Sequence, residues 1–123
     1  MFFYDKAIDA DSTFALAYAK RAITRSLGYK GGYFAARDHM DNCLSDIKRA
    51  LHLEKDLTEA RIAYGFYYYY FKEDFNKALE YFREVSDREP YNYENNFYLA
   101  VVLRAMGEWA QSQAKIKQVV KHN

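Results

Sequence analysis

A chain of 123 residues has room for one domain with a modest core. Eighteen Lys and Arg against seventeen Asp and Glu leave a formal net charge of +1. This excludes the basic excess on which non-specific nucleic-acid binding depends, and leaves no acidic or polybasic tail. Thirteen tyrosines, nine phenylalanines and one tryptophan carry too much aromatic area for a disordered chain. One proline and five glycines are too few for a turn-rich all-β fold, so helices are expected.

In chain order, residues 1–12 begin Met1-Phe2-Phe3-Tyr4-Asp5-Lys6, which meets charge too early for the apolar core of a signal peptide. Phe3, Tyr4 and Ala7 leave a short apolar face there, and Asp11-Ser12 ends it. Residues 13–56 predict a helix marked by Ala15, Ala17, Tyr18 and Ala22, then a second with the face Cys43, Ile47 and Ala50. Between them an insertion near 27–38 holds Gly28, Gly31 and Gly32, read as a loop or an interrupted helix end. Residues 57–91 predict a helix through Ala60, Tyr64, Gly65 and Tyr68, then another from Phe75 to Val85, stopped by Glu89-Pro90. Residues 92–123 repeat the order, with Leu99, Ala100 and Leu103, a turn at Gly107, and a last helix from Trp109. The longest uncharged apolar run, Ile62 to Phe71, is about half of the ~20 residues a membrane span needs.

The two final helices share a period. Phe75/Trp109, Ala78/Ser112, Phe82/Ile116 and Val85/Val119 are each 34 residues apart, and steps of three, four and three put each set on one helical face. Paired helices at this period resemble tetratricopeptide repeats. Ala17, Tyr18, Ala22, Ala50, Gly65, Tyr68, Phe75, Ala78, Phe82, Pro90, Leu99, Ala100, Gly107 and Trp109 carry the resemblance over nearly the whole chain. It implies an all-α, right-handed superhelical solenoid of antiparallel helix pairs: the second helix of a truncated leading repeat at 1–12, then pairs at 13–56, 57–91 and 92–123. The chain is accordingly expected to be a piece of a longer protein. There are departures. Asn96 replaces a bulky residue and Ser112 an alanine. Gly65 to Ala78 spans thirteen residues where the family has twelve, which puts one extra residue in the turn.

No catalytic constellation emerges. His39 and Cys43 share a helical face but His52 falls opposite, so no four-ligand metal site is expected. Cys43 reads as a small buried hydrophobe and the histidines as surface residues. Gly28-Tyr29-Lys30-Gly31-Gly32 lacks the ending and the preceding strand of a phosphate loop. Neither a cofactor nor an enzymatic activity is expected. A single cysteine rules out an intramolecular disulfide and fits a cytoplasmic location.

The aromatic surplus is the functional clue. Lys20 and Ile23 of the first pair, Glu59, Ile62, Phe66, Tyr69 and Tyr70 of the second, and Glu94, Phe97, Tyr98, Val101 and Arg104 of the third are expected on the inner, concave face. Exposed aromatics of this kind serve as interface hot spots. Chaperone-binding tetratricopeptide domains hold a terminal carboxylate with Lys, Asn and Arg; here those positions are Ala19, Ile23, Ala63, Glu94 and Tyr98, so a more apolar partner segment is favoured. The runs Phe14 to Ala19 and Gly65 to Tyr70, with Asp74-Phe75, are also similar to repeats in bacterial multidomain signalling regulators. That resemblance implies a docking or sensing scaffold whose partner is a protein, a peptide or another domain of the parent chain, with neither nucleic acid nor membrane. The alternative is that the same face, or the raw repeat ends, packs against missing repeats or a second copy of the chain.

Overall fold

A computed structural model describes residues 2–11, 14–30, 36–107 and 116–117. They are helical with short connections, and no strand occurs among them. The elements are α1 (Phe2–Ala10), α2 (Ala15–Lys30), α3 (Ala36–Leu53), α4 (Thr58–Phe66) with a π-helical continuation (Tyr67–Phe71), α5 (Phe75–Arg88) and α6 (Tyr93–Ala105). The last helix expected, from Trp109, lies outside the described residues apart from Ile116 and Lys117.

Local chemistry sets the boundaries. The Asp74 carboxylate accepts the backbone N–H of Lys77 at 3.1 Å, capping the start of α5, and Glu89-Pro90 ends that helix. The Asn92 side chain accepts the N–H of Asn95 at 3.1 Å and starts α6 in the same way. After α6 the chain turns at Gly107, whose φ of 82° suits glycine.

Neighbours in sequence pack as antiparallel pairs. Arg21 meets Asp46 while Ser26 meets Cys43, which runs α2 against α3. Arg61 pairs with Glu84, and Tyr68 stacks on Tyr81, so α4 runs against α5. Asn95 Nδ2 donates to the Phe82 carbonyl, and Ser86 Oγ donates to Asn96 Oδ1, joining α5 to α6. Asn96, out of place by family pattern, is wholly buried, and its Nδ2 also donates to the Pro90 carbonyl; it ties the α5–α6 corner with hydrogen bonds. By contrast α2 and α4 run side by side in the same direction: Ala19 clusters with Ala60, Ala22 with Ala63, and the Tyr29 ring meets Phe71 at a 30° tilt. Fully buried alanines along this seam bring the two backbones close.

The central core joins α4, α5 and α6 through Ile62, Phe66, Phe82, Val85, Leu99, Val102 and Leu103. Phe82 is its pivot. A Cβ placed on Gly65 would lie 2.5 Å from Phe82 Cζ, so the α4 backbone and this ring already occupy the space a side chain would need. The close approach at Gly65 is thus made by one aromatic side chain.

One expectation about the connections changes. The residue in excess between Gly65 and Ala78 is not held in the turn. It is absorbed inside the helix, where Tyr67–Phe71 widens to π geometry and the Lys72 N–H reaches the Tyr67 carbonyl five residues back. A wider turn swings Tyr67 inward, to 4% exposure against Cys43 and Ala63, while Tyr69 and Tyr70 face the α6 side. At the insertion near 27–38, read as a loop or an interrupted helix end, helix is present on both flanks. α2 runs unbroken through Gly28 to Lys30, held by the Tyr29–Phe71 ring contact at 4.7 Å, and α3 has begun by Ala36. Gly31 and Gly32 lie outside the described residues.

A charged network that hydrophobic patterning does not reveal joins α1, α2 and α3. Asp46 is 4% exposed and accepts two hydrogen bonds from Arg21, at 2.9 and 2.7 Å, while the same guanidinium reaches Asp5 at 3.0 Å. Arg25 Nε stands 3.4 Å from Asp46, and its Nη1 lies 3.3 Å from His39 Nδ1. The carboxylates hold the Arg21 guanidinium well above the usual arginine range, Asp46 foremost. His39 is therefore half-buried in this network, not a surface residue as expected. Cys43 matches its expectation: it is fully buried, donates to the Ala22 carbonyl at 3.4 Å, and burial pushes its thiol up from 9.0 to about 12.

Candidate functional site

The widened end of α4 helps to line an apolar hollow. A cavity of about 290 Å³ is lined by Phe66, Tyr69 and Tyr70 from α4 and its π continuation, and by Phe97, Tyr98, Val101 and Val102 from α6. Phe82 of α5 forms part of its wall and Leu27 of α2 closes the far side. The rings brace one another: Phe66 stands edge-on to Tyr98 at 4.7 Å and to Phe82 at 5.6 Å, and lies parallel to Tyr70 at 5.8 Å. Phe97 and Leu27 remain 47% and 46% exposed, so two large apolar side chains flank the mouth. Tyr98 Oη donates to Glu94 at 2.5 Å; burial and this carboxylate both hold the phenol well above the usual tyrosine range.

Six of the twelve residues expected on the inner face therefore meet at one cavity: Phe66, Tyr69, Tyr70, Phe97, Tyr98 and Val101. The others are placed differently. Ile62, 6% exposed, is a core residue, because α4 turns this side chain toward Leu99 and Val85. Ile23 is half-buried between the two main core clusters, and Glu59 sits half-buried in the first turn of α4. Glu94 and Arg104 are exposed at opposite ends of α6, with Glu94 reaching the site through Tyr98. Lys20 lines a separate cavity of about 250 Å³ at the α1–α2 end, with Phe3, Tyr4, Ala7, Phe14, Leu16 and Ala17.

Sequence reasoning missed Leu27, Tyr29 and Glu73. Leu27 and Tyr29 fall in the insertion read as a loop or an interrupted helix end, and α2, running on to Lys30, carries them to the site. Glu73 lies in the connection after the π turn, where helical periodicity says nothing about direction. Together with Tyr69, Tyr70 and Phe75, Tyr29 and Glu73 line a second, more open cavity of about 410 Å³ that shares two tyrosines with the first.

Among the described residues no three His, Cys, Asp or Glu side chains gather as metal ligands. Nor is any helix among them long and apolar enough to cross a membrane. Compared with known families and characterised proteins, the chain matches no family model and no curated protein.

Proposed function

We propose that this chain is a non-catalytic protein–protein interaction module. A peptide or helix of a partner would lie across α4 and α6 with one apolar side chain seated in the Phe66–Tyr70–Tyr98 cavity. The observation that supports this most is the convergence of six expected inner-face residues on one aromatic hollow with an exposed apolar mouth. Aromatic rings locked by their neighbours lose little conformational freedom on binding, which is why such rings carry interface energy. In this reading the antiparallel pairs α2–α3 and α4–α5, with α6 beginning a third, are tetratricopeptide-like units of a right-handed solenoid. It serves as a docking or sensing scaffold in a larger signalling protein of the cytoplasm. A selection from a random peptide display library tests the proposal. Selected peptides are expected to lose at least about tenfold in affinity for Phe97→Ala and Tyr70→Ala, with helicity unchanged. Peptides that bind wild type and both variants alike would remove the groove from the function.

Self-association is a second reading, favoured by the apolar α1–α2 end, where Phe3 is 75% exposed beside the Phe14–Leu16 cavity. Sedimentation across a concentration series decides it; a strict monomer eliminates it.

A further inference from the structure

The second cavity has a composition unlike a simple apolar groove. Tyr69 and Tyr70 stand at 84° to one another with centroids 4.7 Å apart, forming two walls that meet at a near right angle. Phe75 continues the Tyr69 wall at 5.1 Å, and Tyr29 lines the cavity from α2. The single charged side chain lining it is Glu73, exposed and unpaired with any cation among the described residues. Its backbone φ is 51°, a left-handed conformation that L side chains rarely adopt. Glycine or asparagine would serve this turn better, so local folding does not explain the glutamate. A carboxylate held at the edge of several aromatic rings attracts organic cations through both its charge and the rings' negative faces. The protein's own Lys77 already makes such a contact nearby, with Nζ 5.6 Å from the centroid of Tyr68.

The geometry points to Tyr29, Tyr69, Tyr70, Phe75 and Glu73 as a binding site for a methylated ammonium group. Methylation spreads the charge and weakens hydration, so the group gives up less water than a bare ammonium on entering between rings. A cavity of about 410 Å³ accommodates a trimethylammonium head with room for the chain that carries it. Such a head occurs in free choline-like molecules and in trimethylated lysine side chains of proteins. The inference stands on the Tyr29–Glu73 end of the molecule and does not depend on peptide binding in the neighbouring hollow.

The test titrates the whole chain, by NMR or calorimetry, with choline, with N-acetyl-trimethyllysine amide, and with 3,3-dimethylbutanol, choline's uncharged isostere. At least one cation is expected to bind about tenfold or more tightly than the alcohol. The tighter of the two cations identifies a free ligand or a modified side chain as the source. Glu73→Gly is the deciding variant, because glycine suits the left-handed backbone. Its melting temperature is expected to hold or rise while the preference for cation over alcohol falls to within about twofold. Equal binding of the three probes, affinities weaker than about 10 mM for both cations, or an undiminished preference in Glu73→Gly would overturn the assignment.

Discussion

Replacing Gly65 by alanine sets two well-characterised effects against each other at one position. In an ordinary helix interior the change stabilises by about 1 kcal/mol, because glycine loses more backbone entropy on folding. Here the new Cβ would stand 2.5, 2.7 and 2.8 Å from Phe82 Cζ, Cε1 and Cε2, where carbon atoms prefer about 3.5–4.0 Å. The ring must retreat by about 1 Å, yet it is 1% exposed and already meets Phe66 at 5.6 Å and Tyr98 at 5.9 Å. Overpacking of this kind costs about 1–3 kcal/mol, which offsets or outweighs the helix gain and leaves a net loss of up to about 2 kcal/mol. The melting temperature should fall by up to about 10 °C. Urea denaturation of Gly65→Ala, Phe82→Leu and the double variant completes a mutant cycle. In the Phe82→Leu background, where the ring tip is gone, Gly65→Ala should become neutral or stabilising by up to about 1 kcal/mol. A rise in the wild-type midpoint on Gly65→Ala, or additivity within about 0.5 kcal/mol, would refute the close approach as the reason for this glycine.

Ala78→Leu should destabilise by about 1–3 kcal/mol, since Ala78 is fully buried in the α4–α5–α6 core and has no space for three more carbons; an unchanged melting temperature would undo the α4–α5 register. Asp46→Asn should cost roughly 3 kcal/mol in chemical denaturation, because Arg21 and Arg25 lose the carboxylate that offsets their partial burial. Stability should decline as pH rises from about 9. Burial raises the folded Cys43 thiol to about 12 and shifts Tyr64, Tyr67, Tyr70, Tyr81 and Tyr98 upward as well. The unfolded chain then releases protons that the folded chain retains, so these groups' contribution is complete below their ordinary pKa values and is lost on passing above the raised ones. Tyrosinate absorbance titrated alongside circular dichroism checks this: ionisation of the buried phenols should coincide with loss of helix, and ionisation with the helices intact would contradict it. Below that transition Cys43 should resist alkylation by iodoacetamide and become reactive on unfolding.

Helical class and much of the core could be read directly from the chain. Spacings of three and four residues fix a helix face whatever lies opposite, and Pro90 marks an end through backbone chemistry alone. The resemblance to tetratricopeptide repeats, rather than periodicity, brought Phe66, Tyr69, Tyr70, Phe97, Tyr98 and Val101 forward as candidates. What it could not supply was where a single extra residue goes. An insertion between Gly65 and Ala78 can sit in a turn or widen a helix, and the two differ only in how Tyr67 to Tyr70 pack against α2, α3 and α6. Packing chose the π turn, burying Tyr67 and turning Tyr69 and Tyr70 outward. Ile62 shows the same limit, since an inner-face position on one helix becomes core once the next helix covers it. The Arg21–Asp46–Asp5 network and the meeting of Tyr29 with Glu73 join residues far apart in sequence, through charge and backbone geometry that carry no period. Which segments are helical and which faces are apolar follows from local spacing. Which aromatic rings are framework and which line a cavity depends instead on what each ring meets across the space between helices.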